Sequence, residues 1–346
     1  MPRATITQVA ALAGVSIASA SRALNGQIAS AETVAKVRRA AEELGYVADA
    51  AARSLKLGRT QQLAYAVADI GNPVYVEMMS AVERVVSDSG YRLVISSTGT
   101  ASSSLDVVRD LGRGYVDGMI LSPLRVTPEL LQALADVPVP VVMLGVASEG
   151  SGLDTVQADS VTGMRLAVDH LIAEGRRSIA FINGPVDTTP GRLRLRGFEE
   201  AMRDNPGIGS RTVIADDFTI AAGHRAALEA LGDSEGFQPD AVVAANDLIG
   251  IGVLHAADDL GLSVPDDLAV TGMDNTELSR VARLGLTSVD LGAHERGRVA
   301  ADLLLARIAE PGRAAHTVTV APSLVVRGSS RRGQASLRIV EEEDAV

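Results

Sequence analysis

The sequence predicts a small all-α head followed by an α/β body of two doubly wound parallel-sheet subdomains, and three observations lead there. Thr5 to Asn25, TITQVAALAGVSIASASRALN, reads as two short helices around a tight turn, with small residues where the helices must touch. From Leu63 onward, apolar strand-like runs alternate with amphipathic helical stretches, the pattern of parallel sheets covered by helices on both faces. The chain is 346 residues long and 47% hydrophobic, which is too long for one small domain and rich enough for two or three cores.

In the head, Thr5 precedes Gln8 by three residues, the capping-box spacing that starts a helix near Ile6. Val9, Ala10, Leu12 and Ala13 give it an apolar face, and Gly14 stands where a left-handed residue would end it. Val15 is placed to fill the corner. Ser16 is placed to cap a second helix from Ile17 to Leu24, which Asn25-Gly26 closes. Ser30 starts a third helix through Val34, Val37, Ala40, Ala41 and Leu44, spaced near 3.6 residues and ended by Gly45. Two helices joined by a short Gly-containing turn form a helix-turn-helix, whose second helix enters the major groove of DNA.

The overall charge of −11 opposes a polyanionic partner, but its distribution does not. Residues 1–60 hold eight Lys/Arg and four Asp/Glu, a net +4, which leaves −15 on the remainder. A basic head on an acidic body meets DNA through the head, where phosphate contacts give salt-dependent affinity. There is no cysteine, no run of eighteen apolar residues and no apolar leader in MPRATITQ, so a cytoplasmic protein without membrane contact is expected.

TITQVAALAGVS followed by SRALNG, then Leu44-Gly45-Tyr46 and Ala52-Arg53-Ser54-Leu55, closely resembles the headpiece of the LacI/GalR family of bacterial transcriptional regulators. The resemblance implies DNA contacts from Thr5, Ser16, Ile17, Ala18, Ser21, Arg22 and Asn25. Ile17 and Ala18 fall at the sequence-selecting positions, where their apolar character favours thymine methyl groups. It also implies that Asp49 to Leu57, too short to stay helical alone, orders on DNA as a hinge helix whose Leu55 wedges into the minor groove. Ala48-Asp49 replaces the Pro-Asn usual in the family.

The division expected is a helix-turn-helix headpiece (1–48), a hinge helix or linker (49–60), a two-lobed effector-binding and dimerisation domain (61–330) and a disordered tail (331–346). In the body, strands are expected at Leu63 to Ala68, Tyr91 to Ser96, Gly118 to Leu121, Val139 to Leu144, Ser178 to Ile182, Ala241 to Ala245 and Leu268 to Thr271. Helices are expected at Tyr75 to Ser89, Val161 to Glu174, Gly191 to Asn205, Ala221 to Leu231 and Leu248 to Leu260. The resemblance extends through this region, as far as Val325 to Ser330. It implies a periplasmic-binding-protein-like body with two lobes, three chain crossings and a cleft.

Ligands of open α/β sheets bind beyond the carboxyl ends of the strands. Those positions hold Asp69, Ser97, Ser122, Asn183, Asn246, Asp247 and Asp274, amides and carboxylates that suit a ligand with many hydroxyls. Arg194 matches the family's cleft arginine, and Asn246-Asp247 and Asp274 its polar cleft residues. Asn246, Asp247 and Asn72-Pro73 also read as helix caps. Tyr75 and Phe218 are candidates, by family position, to stack on a sugar, or else to belong to the core.

Catalysis has no support. The five histidines are scattered without metal-ligand spacing, and Gly250-Ile251-Gly252 lies within a helical stretch without a third dinucleotide-binding glycine. Neither an enzyme, a cofactor nor a metal is expected. The expected function is a homodimeric repressor of carbohydrate-use genes on a palindromic double-stranded DNA operator, governed by a small sugar-like effector. The alternative is a soluble sugar-binding module without a promoter role.

Overall fold

The computed structural model describes residues 4–24, 28–47, 58–99, 101–147, 150–232 and 236–331, without the side chains of 101–103. Asn25, Ala48, Asp49, most of the expected hinge including Leu55, and the tail after Arg331 lie outside the described residues. The chain divides into two compact units at Gln61.

The first unit holds α1 (Ile6–Ala13), α2 (Ile17–Leu24) and α3 (Ala31–Glu43). Its termini are fixed by nearby side chains. The Thr5 N–H donates to Gln8 Oε1 at 2.8 Å while Thr5 Oγ1 accepts from the Gln8 N–H, completing the capping box. Gly14 adopts φ +66°, the left-handed conformation that ends α1. Ser16 Oγ accepts from the Ser19 N–H at 3.1 Å, and Ser30 Oγ from the Thr33 N–H at 3.2 Å. The core consists of Val9, Ala10, Ala20, Ala23, Val37, Ala40 and Ala41, with Val15 packed against it. Alanines let the helices approach closely, but so small a core contributes at most about 3–5 kcal/mol.

The second unit contains two six-stranded sheets. The first has the order β11-β5-β4-β3-β1-β2, from β1 (Gln62–Val67), β2 (Arg92–Ser97), β3 (Gly118–Ser122), β4 (Val141–Leu144), β5 (Asp154–Ala158) and β11 (Thr317–Val320). The second has the order β12-β10-β9-β8-β6-β7, from β6 (Ser178–Asn183), β7 (Gly209–Ile214), β8 (Ala241–Ala244), β9 (Ala269–Met273), β10 (Thr287–Asp290) and β12 (Ser323–Val325). Every pair is parallel except β10 with β12. Helices α4 (Pro73–Asp88), α5 (Ala101–Leu111), α6 (Pro128–Asp136) and α12 (Ala293–Ala309) accompany the first sheet. Helices α7 (Ser160–Ala173), α8 (Thr189–Asp204), α9 (Ile220–Leu231), α10 (Asp247–Asp259) and the short α11 (Glu277–Val281) accompany the second.

The chain crosses between the sheets three times, after β5, after β10 and between β11 and β12. The crossings lie together: the Asp159 N–H donates to Val320 O, and a Cβ on Gly292 would overlap Val320. In each sheet the strand order reverses beside its first strand, between β1 and β3 and between β6 and β8, which opens a crevice at the carboxyl ends of the strands. Gly252 serves packing, because a Cβ there would strike Ile220 O and the His224 N–H across α9.

Several elements went unforeseen for physical reasons. The edge strand β7 leaves most of GSRTVI exposed, and β5, DTVQA, is short and half polar, so neither stands out as an apolar run. β4 begins at Val141, two residues later than expected, with Pro138 and Pro140 before it.

Candidate functional site

On the first unit, the outward side of α2 carries Ile17, Ala18 and Arg22. Ile17 is 51% exposed although large and apolar, which the packing of this unit does not explain. The Arg22 guanidinium lies over the same helix, with Nη2 donating to Ser19 Oγ at 3.4 Å. Thr5 and Ser16 are exposed at the starts of α1 and α2. Ser21 requires a correction: at 8% exposure it lies between the core alanines Ala20 and Ala23, so burial takes it off the outward face.

The second unit holds a partly open cavity of about 140 Å³ between its two sheets. From the first lobe come Asp69 beyond β1, Asn72 and Tyr75 at the start of α4, and Ser122 at the end of β3. From the second come Arg194 on α8, Phe218 before α9, Asn246 beyond β8 and Asp274 beyond β9. These residues are as far apart in sequence as Asp69 and Asp274, and the two switch points bring them together.

Arg194 and Asp274 form the electrostatic centre. Their Nη2 and Oδ1 are 3.1 Å apart, and both side chains are buried. Asp274 holds φ +105°, a strained conformation for a non-glycine residue, and its side chain lines the cavity. Burial raises the Asp274 pKa, and the charges of Arg194 and Arg296 oppose that shift. The Arg194 guanidinium also sits over the Phe218 ring, 5.9 Å from its centroid. Phe218 is therefore both core and cavity wall, and the absence of a Cβ on Gly184 leaves room for its ring. Burial and the Asp274 charge push the Tyr75 phenol up to about 12, so it remains a neutral hydroxyl.

Asn246 lines the cavity while its amide is already engaged. Its Oδ1 accepts from the Ile249 N–H at 2.9 Å, capping α10, and its Nδ2 donates to Phe218 O at 3.1 Å. Asn72 likewise caps α4 through the Val74 N–H. Two expected residues fall elsewhere and are corrected. Ser97 is exposed at the end of the edge strand β2, away from the switch point. Asp247 turns away from the cavity to accept from the Ser288 and Thr276 hydroxyls and the Thr276 N–H, so its place next to Asn246 does not carry it into the site.

The cavity also uses residues that sequence reasoning missed: Gln157, Thr189, Asp217, Thr219 and Arg296. Gln157 could have been found had β5 been recognised, since it lies near that strand's carboxyl end. Arg296 gave no signal, being one of several arginines in α12, which docks beneath the first lobe from more than 200 residues away.

Comparison with known proteins adds an independent line. Residues 5–49 match the family described as bacterial regulatory proteins, lacI family, and residues 168–330 match a periplasmic binding protein-like domain. The ribose operon repressor of Escherichia coli (strain K12) is 35% identical over 331 residues, covering 94% of this chain and 100% of its own. The HTH-type transcriptional repressor PurR of Aliivibrio fischeri (strain MJ11) is 32% identical over 330 residues, covering 94% and 98%. A solved structure of the lac repressor dimer bound to operator and the anti-inducer ONPF aligns with a TM-score of 0.85 at 26% identity, covering 95% of this chain and 100% of that one.

Proposed function

The chain belongs to the LacI family of bacterial regulatory proteins, and we propose that it represses carbohydrate-use genes as a cytoplasmic homodimer on a palindromic operator. One observation carries this reading: the chain joins a basic helix-turn-helix unit, with Ile17 and Arg22 outward on α2, to a cavity lined by hydroxyl-matching groups. The ribose operon repressor supports the repressor role, and the lac repressor dimer bound to operator and the anti-inducer ONPF supports the pairing of DNA with a small effector.

In this reading α2 lies in the major groove, where Ile17 and Ala18 meet thymine methyl groups and Arg22 meets a base edge or phosphate. Thr5, Ser16 and Asn25 contact the backbone, and Leu55 wedges into the minor groove at the operator centre. Asp69, Asn72, Ser122, Arg194 and Asp274 bind the effector's polar groups, against walls supplied by Tyr75 and Phe218. Effector binding alters lobe closure at the three crossings and thereby the spacing of the two headpieces.

The test combines a thermal-shift screen of sugars with operator binding at several salt concentrations, on the full-length protein. A sugar-like ligand is expected to raise the melting temperature and to change operator affinity about 5- to 150-fold. DNA affinity should fall steeply with salt and vanish when residues 1–60 are deleted. A sugar that stabilises a chain with no DNA affinity even at low salt would point instead to a binding module without a promoter role.

A further inference from the structure

We infer that the effector carries an anionic group, as in a sugar acid or sugar phosphate, and that Arg296 is the residue that selects it. The inference rests on the proposed effector role of the cavity and names the class of ligand it takes.

Among the described residues two arginines line the cavity, Arg194 and Arg296, and one of them has an ion-pair partner. Asp274 pairs with Arg194. Arg296 forms no ion pair among the described residues, and its buried Nε has no hydrogen-bond partner. The buried Nε of Arg194 and the hydroxyl of fully buried Tyr65 are unpartnered as well. Tyr65 stands on β1 close enough to Arg296 for the two to interact electrostatically. Three buried donors thus go unused on Arg194, Arg296 and Tyr65, and the one lining carboxylate that acts on both arginines, Asp274, is already engaged.

Native proteins rarely leave buried donors unpaired, and clusters of them mark places where something else supplies the acceptor. Among the residues that line this end of the cavity, two guanidinium groups stand against one carboxylate, an excess of one positive charge. Removing a charge from water without a partner is unfavourable, and a neutral sugar would not balance that charge. An oxyanion would, and the planar fork of a guanidinium matches a carboxylate or phosphate edge.

The other two acidic residues of the lining do not take this role. Asp69 and Asp217 are exposed and already accept from the N–H groups of Gly71 and Phe218. Their charges face solvent, where they are screened. They favour hydroxyls at their own end and repel a negative group, which orients the ligand with its anionic end toward Arg296.

The experiment is titration calorimetry on the full-length protein with matched sets of ligands: neutral pentoses and hexoses, the corresponding sugar acids, and the corresponding sugar phosphates. One anionic set is expected to bind at least 10-fold more tightly than its neutral parent, and which set does so identifies the oxyanion. In Arg296→Leu the anionic ligand should lose about 10- to 100-fold in affinity, the equivalent of a charge-assisted hydrogen bond, while the neutral parent loses little. Arg296→Lys should restore part of the loss. A neutral sugar that binds as tightly as its acid and phosphate in the unmodified protein overturns the inference and leaves the sugar-responsive reading intact, even if the variants do not fold. Binding by none of the three sets overturns both.

Discussion

The headpiece and the body use polar side chains in opposite ways. In the headpiece, Thr5, Ser16 and Ser30 each satisfy an N–H three residues along the chain, and all three are exposed. The body has local caps too, such as Asn72 and Asn246, but adds buried polar groups that reach far. Arg176, with no exposed surface, donates to the carbonyls of Asp240, Pro265 and Asp266; Arg194 meets Asp274; Asp247 meets Ser288. Local caps fix where helices begin at little cost if lost. Buried bridges hold the strand ends in register, and with them the walls of the cavity, so their loss should be global.

The largest effect that would test this contrast is at Arg176. Replacing it with alanine leaves three partly buried carbonyl groups without this donor and a void below the loops before β8 and β9. We expect a loss of about 3–5 kcal/mol in urea denaturation of the body, the range for breaking a buried charged network. A loss below about 1 kcal/mol would place Arg176 with the caps and remove the distinction.

A second test uses pH. Burial and the nearby charge of Asp274 push the Asp247 carboxyl up to about 7, far above the ordinary aspartate value. The folded protein therefore holds a proton that the unfolded chain releases near pH 4. Between those values the folded state binds more protons, so stability falls as pH rises, by at most about 1.4 kcal/mol per pH unit from this group. The decline should level off above about pH 7. Melting temperatures measured from pH 5 to 8 should show it, and Asp247→Asn should flatten the slope. The amide can still accept from Thr276 and donate to Ser288 Oγ, so its hydrogen bonds survive. An unchanged slope in the variant would assign the pH dependence to other groups.

The same contrast explains what could be read from the sequence. The capping box, Gly14, Ser16 and Ser30 were legible because each is a relation between residues a few positions apart. The switch-point residues Asp69, Ser122, Asn246 and Asp274 were legible at one remove, through recognisable apolar strands ending beside them. Arg296 was not, because its place in the cavity depends on how α12 docks against the first sheet, a fact no short window contains. Asp247 and Ser21 show the converse limit: proximity in sequence to Asn246 or to Arg22 does not decide which way a side chain faces. On a helix, neighbours diverge by about 100°, and only burial against the remaining elements settles the direction.

The smallest effect lies in the headpiece. Thr5→Ala removes the hydroxyl half of the capping box at α1 and leaves the Gln8 side chain held by the backbone N–H of residue 5 alone. Caps of this kind contribute about 0.5–2 kcal/mol, typically about 1. For a unit whose core is five alanines and two valines, that is a sizeable share of its own stability but negligible for the body. Hydrogen exchange should accordingly speed up about fivefold for the amides of α1 and remain unchanged in β1 and β6. Operator affinity should drop by a similar factor at constant salt, with effector affinity unaltered. Faster exchange in the body strands of this variant would mean that the cap acts beyond its own helix, and the division between local and long-range polar groups would not hold.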